Sequence, residues 1–351
     1  MTAVGKRPAP SGTTWLSGSA TTRTASSPCS QADVSSLLDV PGLLLGHSSL
    51  DDTGVTAVVA ASPAGMTAGV DVRGGGPGTR ETDLLAPHNT VERVHAIILA
   101  GGSAFGLAAA DGAMGELERA GRGFPVLGEG RPGPRVPIVP AAVIFDLFVG
   151  DPTHRPTAAD GAAAVRAALA GGMDPQARGN VGAGCGATAG ALRGGIGQAS
   201  QVVGEYTVSA LLVANPVGEV IDPATGLLWG DPSRPAVDLV RFAQLEHPAA
   251  RLNTTIGVVA TDAPVTVAQA TRLALTGHDG IARAVRPAHS PLDGDTLFAV
   301  STAAAAGGVP VEVLHELSAV AADVVQAALV DAVTAAVPGH GLGIWSEIVV
   351  G

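Results

Sequence analysis

Glycine and proline account for 73 of the 351 residues, 48 and 25 respectively, and they follow no collagen-like period. A chain punctuated this often makes many tight turns and close backbone approaches. Between the punctuation, apolar residues fall into short runs. Residues 43–47, 55–61 and 66–72 read as strands, the second bounded by Gly54 and Pro63. Residues 95–99 (HAIIL) form an apolar strand that runs into Gly101-Gly102-Ser103 and a small-residue helix over about 104–120. Residues 136–148 are a further apolar run broken by Pro137 and Pro140, and 160–170 read as an Ala-rich helix. With seven glycines, 182–200 is too glycine-rich for a regular helix. Residues 208–214 and 219–221 read as a strand pair, 237–244 as a short helix and 254–260 (TTIGVVA) as a β-branched strand. Two helices follow over 265–276 and 279–285, then a strand over 296–301 and a long apolar helix over 311–337 opened by Pro310. Strands and helices mix throughout, so the pattern favours a layered α/β or α+β fold.

Residues 1–35 are rich in Ser, Thr, Pro and Ala without apolar periodicity, the composition of a disordered tail, and 36–351 read as a single domain. The tail has no apolar stretch of a secretory signal, which points to a cytoplasmic protein. No uninterrupted apolar run reaches about eighteen residues, so no membrane span is expected. The net charge is −11, and the tail's Lys6, Arg7 and Arg23 against Asp33 leave 30 acidic and 17 basic residues in the body. That balance argues against nucleic-acid and anionic-membrane partners. Two cysteines, Cys29 and Cys185, exclude a disulfide framework and a Cys-rich zinc site. The only lysine is Lys6, which leaves the body without a Schiff-base or P-loop lysine.

Asparagine is scarce, at Asn89, Asn180, Asn215 and Asn253. The last stands in Leu252-Asn253-Thr254-Thr255, where a loop becomes a strand. A hydroxyl nucleophile at a strand start suits self-cleavage: Thr254 would attack the preceding carbonyl, and the new N-terminal amine would then act as its base. An ordinary strand with an Asn turn before it has the same sequence. Asn215, in Val213-Ala214-Asn215-Pro216, could offer its amide to an oxyanion or simply start a turn. Asp293-Gly294-Asp295 supplies two carboxylates that could orient a nucleophile and share a proton, or form an Asp-Gly turn. Leu99–Gly106 reads as strand, glycine turn and helix, but fits no phosphate-binding motif; its glycines suit close helix–strand packing. His278-Asp279 could pair a base with its orienter, and Cys185 could be a thiol nucleophile or a small core residue.

Taken together, these segments resemble the P1 family of DmpA-like peptidases. That group includes aminopeptidases, β-peptidyl aminopeptidases and nylon-oligomer hydrolases. The segments are DVRGGGPGTRETDLL (71–85), AIILAGGSAFGLAAADG (96–112), VGAGCGATAGALRGGIGQAS (181–200), LLVANPVG (211–218), LNTTIGVVATDA (252–263) and LDGDTLFAVST (292–302). The resemblance implies a four-layer αββα sandwich, similar to N-terminal nucleophile hydrolases. It implies one cut between Asn253 and Thr254, and homo-oligomers of the cleaved subunits. Thr254 matches the nucleophile, Asn215 the supporting Asn, and Asp293 and Asp295 the orienting pair. Two positions depart from the pattern. Arg193 lies in the segment 191–193, around which several relatives have a functional lysine. Phe145 lies near where the nylon hydrolases have Tyr, after an apolar 137–143 near which aminopeptidase members carry an acid. Both are candidate substrate contacts. The implied function is an autoprocessing amide hydrolase on a peptide-like or small amide substrate, without metal or organic cofactor. Two alternatives are an acyltransferase of similar self-cleaving fold and a non-catalytic nucleotide- or metabolite-binding protein using Leu99–Gly106.

Overall fold

The computed structural model describes Met1 and residues 35–171, 174–246 and 252–350. The expected tail therefore lies outside the described residues except at Met1 and Ser35. In chain order the strands are β1 (Leu43–Ser49), β2 (Gly54–Ala60), β3 (Met66–Val72), β4 (Thr79–Arg80), β5 (Arg93–Val94), β6 (Ala96–Ala100), β7 (Phe124–Pro125) and β8 (Arg135–Val136). They continue with β9 (Ala141–Val143), β10 (Thr188–Ala189), β11 (Leu192–Arg193), β12 (Gly195–Val203), β13 (Tyr206–Ala214), β14 (Ile256–Thr261) and β15 (Thr296–Ser301). The α-helices are α1 (Ala109–Arg119), α2 (Ala158–Ala170), α3 (Leu239–Phe242), α4 (Val267–Ala284), α5 (Val311–Thr334) and α6 (Trp345–Ile348). Two sheets dominate, one in the order β1-β2-β6-β9-β4 and one in the order β12-β13-β14-β15-β3-β5; β7-β8 and β10-β11 are short ribbons.

Side chains alternate across each strand, so a strand buried on both faces feeds two cores. In β2, Val58 and Ala60 enter the core between the sheets, while Val55, Ala57 and Val59 face α1 and α2. In β13, Leu211 and Val213 enter the same central core, while Val208, Ala210 and Leu212 face α4 and α5. Three cores thus separate four layers: α1/α2, first sheet, second sheet, α4/α5. This is the αββα sandwich. Helix α5 is long and apolar enough to cross a bilayer by length and composition, but here its apolar face is buried against β12, β13 and α4.

Two local expectations change. The partners of β13 are β12 and β14, not 219–221; Glu219 and Ile221 make only isolated bridges, to Arg286 and Leu228. The glycine-rich 182–200 forms no α-helix, as expected; it contains the start of β12, where Gly197 lies under α5: a Cβ there would sit 1.9 Å from Ala328 O. Residues 265–285 form one helix rather than two. Gly277 and Gly280 do not break it, since α5 packs so close that a Cβ on Gly280 would reach Ala322 O at 2.2 Å.

Candidate active site

The second sheet brings three distant segments together by register alone. Val213 pairs with Ile256 antiparallel, which sets Asn215 opposite Thr254 two residues past the ladder. Ile256 pairs with Thr296 in parallel, which sets Thr255 beside Asp295, and a further bridge joins Asn253 to Asp293. Asn215, Thr254, Asp293 and Asp295 all stand just outside a strand end.

Thr254 is buried, at 4% exposure. Its N–H donates to Asn215 O at 2.8 Å, and its hydroxyl donates to the carbonyl oxygen of Asn253. The Asn253 side chain is fixed by donating to Pro216 O at 3.0 Å and weakly to Thr188 Oγ1 at 3.4 Å. Asn215 is fully buried, and its amide is engaged at both ends. Nδ2 donates to Phe145 O at 3.1 Å, and Oδ1 accepts the Thr188 N–H at 2.8 Å.

Asp295 holds the backbone just after Thr254, while Asp293 holds the neighbouring 217 and 290 loops. Asp295 Oδ1 accepts the Thr255 N–H at 2.7 Å. Asp293 Oδ1 accepts the Val217 N–H at 3.0 Å, and Oδ2 accepts the Ser290 N–H at 3.0 Å and the Ser290 hydroxyl at 2.5 Å. Burial pushes the Asp293 carboxyl above its ordinary value, the hydrogen bonds from Ser290 and Val217 oppose that rise, and the Asp295 charge adds to it.

A cleft of about 150 Å³ opens onto Asn253 and Thr254, with Gly76–Gly78, Ser103, Ala104, Val143, Ile144, Phe145, Leu252 and Leu292 around it. Larger hollows lie elsewhere, one of about 330 Å³ beside His95 and Phe124. The 150 Å³ cleft is the one that coincides with the strand-end cluster, so chemistry rather than size selects it. Phe145 lines it. Arg193 does not. Its guanidinium is buried and donates to Val337 O at 2.7 Å and Cys185 O at 3.0 Å.

The remaining motifs fall around this centre. The Leu99–Gly106 turn forms part of the cleft wall through Ser103 and Ala104. Its glycines are packing glycines: a Cβ on Gly101 would meet Asp146 Oδ2 at 2.0 Å. Burial raises the Cys185 thiol, which keeps it protonated and a poor nucleophile, and Sγ donates to Asn180 O at 3.4 Å. His278 faces Asp71, not Asp279, with Nε2 at 3.1 Å from Asp71 O. Among the described residues no group of three or more His, Cys, Asp or Glu is arranged to hold a metal ion. Three neighbours escaped the sequence reading: Thr188, Ser290 and His289, whose Nδ1 lies 2.7 Å from Asp295 Oδ2. Only the proximity of 289–290 to the LDGD segment hinted at two of them.

A model described as Peptidase family S58 matches residues 35–343. The chain belongs to peptidase family S58. An uncharacterized aminopeptidase of Mycobacterium leprae (strain TN) is 47% identical to it over 87% of this chain and 91% of that protein. A 6-aminohexanoate-oligomer endohydrolase of Kocuria sp. (strain KY2) is 33% identical over 75% of this chain and 74% of that protein. Among solved structures, a Burkholderia sp. beta-aminopeptidase superposes with a TM-score of 0.68 at 25% identity, covering 89% of this chain and 90% of that one. The Ochrobactrum anthropi L-aminopeptidase D-Ala-esterase/amidase, described as a variant of the Ntn hydrolase fold, superposes with a TM-score of 0.65 at 24% identity over 88% of this chain and 89% of that one. The S58 chain is thus a hydrolase of peptide or amide bonds with an Ntn-type sandwich.

Proposed function

We propose that this S58 chain cuts its own Asn253–Thr254 bond and then works as an N-terminal threonine hydrolase on a peptide-like or small amide substrate. The observation that carries the reading is the Thr254 hydroxyl held against the carbonyl of the bond to be cut, at the edge of a cleft. From there Oγ1 adds to the Asn253 carbonyl carbon, the C–N bond breaks, and the nitrogen leaves protonated. Water hydrolyses the resulting ester, which frees an Asn253 carboxylate and leaves Thr254 with an α-amine and its hydroxyl restored. The amine keeps Asn215 O as a hydrogen-bond acceptor and takes the hydroxyl proton during attack on a substrate. The substrate amine departs with that proton, and water resolves the acyl ester.

Asp295 contributes by fixing the backbone just after the nucleophile, Asp293 by fixing the adjoining loops at Val217 and Ser290, and Asn215 by fixing the framework behind it. Phe145 contacts the substrate; Arg193 serves the fold. The mature enzyme is a homo-oligomer of cleaved subunits in the cytoplasm. The amide-cleaving relatives from Burkholderia and Kocuria support the reaction class. The test is to acetylate the Thr254 α-amine after processing and assay amine release from a panel of small amides. Turnover should vanish while both fragments stay associated; full turnover with a verified acetyl group on Thr254 would refute the mechanism.

A further inference from the structure

His289 stands at a junction that the scheme above leaves unused. Its backbone is left-handed, with φ at +54°, a conformation uncommon for any residue with a side chain and concentrated at functional sites. Its ring points inward: the side chain is 17% exposed and its partner Asp295 is 2% exposed. Nδ1 lies 2.7 Å from Asp295 Oδ2, and the His289 N–H also reaches that oxygen at 3.3 Å. On the other side, Nε2 lies 3.3 Å from the carbonyl oxygen of His278.

Both ring nitrogens therefore face acceptors. The contact to Asp295 is the shorter, and a ring carrying its proton on Nδ1 donates to that carboxylate. The neighbouring His278 is fully buried. Burial lowers it to about 4, its Nε2–H donates to Asp71 O, and its Nδ1 has no partner among the described residues. The two rings meet edge to face at 4.8 Å. The charged and titratable groups around His289 are thus Asp295 and Asp293 on one side, and His278 with Asp71 and Arg73 on the other. Arg73 is itself paired with Asp71 at 2.8 Å.

We propose that His289 is a positioning residue which, through its ring and its backbone N–H, fixes the Asp295 carboxylate so that Oδ1 holds the Thr255 N–H and thereby the Thr254 hydroxyl. The inference rests on the reading of Thr254 as the self-cleaving nucleophile. Asp295 spends one oxygen on His289 and the other on the residue after the nucleophile. Freed from His289, that carboxylate can rotate, and a small displacement of a reacting group is costly: a misplacement of about 1 Å costs on the order of 100-fold in rate.

The test uses full-length His289→Gly and His289→Gln, with the first-order rate of self-cleavage as the readout. Glycine relieves the left-handed backbone, so His289→Gly should stay folded with a Tm close to the parent's while its cleavage slows about 10- to 100-fold. Imidazole added at millimolar concentration should restore at least part of that loss. His289→Gln restores a single neutral donor, so it should keep intermediate activity. A parent that cleaves paired with a folded His289→Gly that cleaves within threefold of it overturns the proposal. So does a loss in both variants that tracks a lowered Tm and ignores imidazole. A parent that never cleaves refutes the Thr254 reading first, and this one with it.

Discussion

Replacing Asn215 with Ala separates two roles that the sequence could not distinguish. If the side-chain amide were free to meet an oxyanion, Asn215→Ala would cost activity and little stability. The structure engages that amide instead. Alanine would leave the Thr188 N–H and the Phe145 carbonyl without partners inside a fully buried site. Each buried orphan costs about 1–3 kcal/mol, so the loss is about 2–6 kcal/mol before any cavity is counted. That is a large share of the roughly 5–15 kcal/mol that stabilises a typical domain. At about 2–4 °C per kcal/mol for a large domain, Tm should fall by on the order of 5–20 °C. Thermal unfolding followed by circular dichroism measures it, with turnover assayed only on the cleaved fraction. Asn215→Asp is the control: its carboxylate keeps the Thr188 acceptor but turns an oxygen toward the Phe145 carbonyl, so it should recover only part of the stability. A Tm within about 2 °C of the parent for Asn215→Ala would refute the framework role and return the amide to the cleft.

Two further perturbations follow from buried packing. Asp146 accepts the Gly102 N–H at 2.6 Å and the Thr53 hydroxyl at 2.7 Å, and burial pushes its carboxyl up to about 6. A carboxyl raised in the folded state binds its proton more tightly there than in the unfolded chain, so its charge costs stability as pH rises from about 4 to about 6 and beyond. Asp146→Asn keeps both hydrogen bonds once the Thr53 hydroxyl turns to accept; it should raise Tm at pH 7.5 and lose that advantage near pH 4, and a Tm unchanged or lower at pH 7.5 would contradict the argument. Gly112→Ala would put a Cβ 1.6 Å from Ala158 O where α1 crosses α2, and overpacking of this kind costs about 3 kcal/mol or more; a drop in Tm below about 2 °C would show that the helices part freely.

The layers were legible because their signals are local. Period-two apolar strands, an opening Pro310 and an Ala-rich 160–170 each declare themselves within a dozen residues. The site was legible only in fragments. LNTT, NPVG and LDGDT each read as a strand boundary, but their meeting depends on the pairings of Val213 with Ile256 and of Ile256 with Thr296, and register between distant strands is not a local property. Glycine misled once. The gap between the two expected helices fell at Gly277, which sits inside α4, where the backbone of α5 lies against the neighbouring Gly280. Arg193 and Phe145 show the limit of matching by position. Phe145 lines the cleft, while Arg193, across the β10–β11 ribbon from Thr188, turns its guanidinium to backbone carbonyls instead. His289 could not be singled out from sequence, since its role lies in a left-handed backbone and two acceptors 6 and 11 residues away.

The central claim is that Thr254 cuts the bond before it, and denaturing mass spectrometry of the purified protein tests it without a substrate. After incubation at neutral pH the parent should resolve into chains of 253 and 98 residues, the smaller about 10 kDa at roughly 110 Da per residue less its small-residue composition. The smaller chain should begin at Thr254, and Thr254→Ala should remain whole under the same conditions. A parent that stays a single full-length chain, or one that is cut at another bond, would contradict the account.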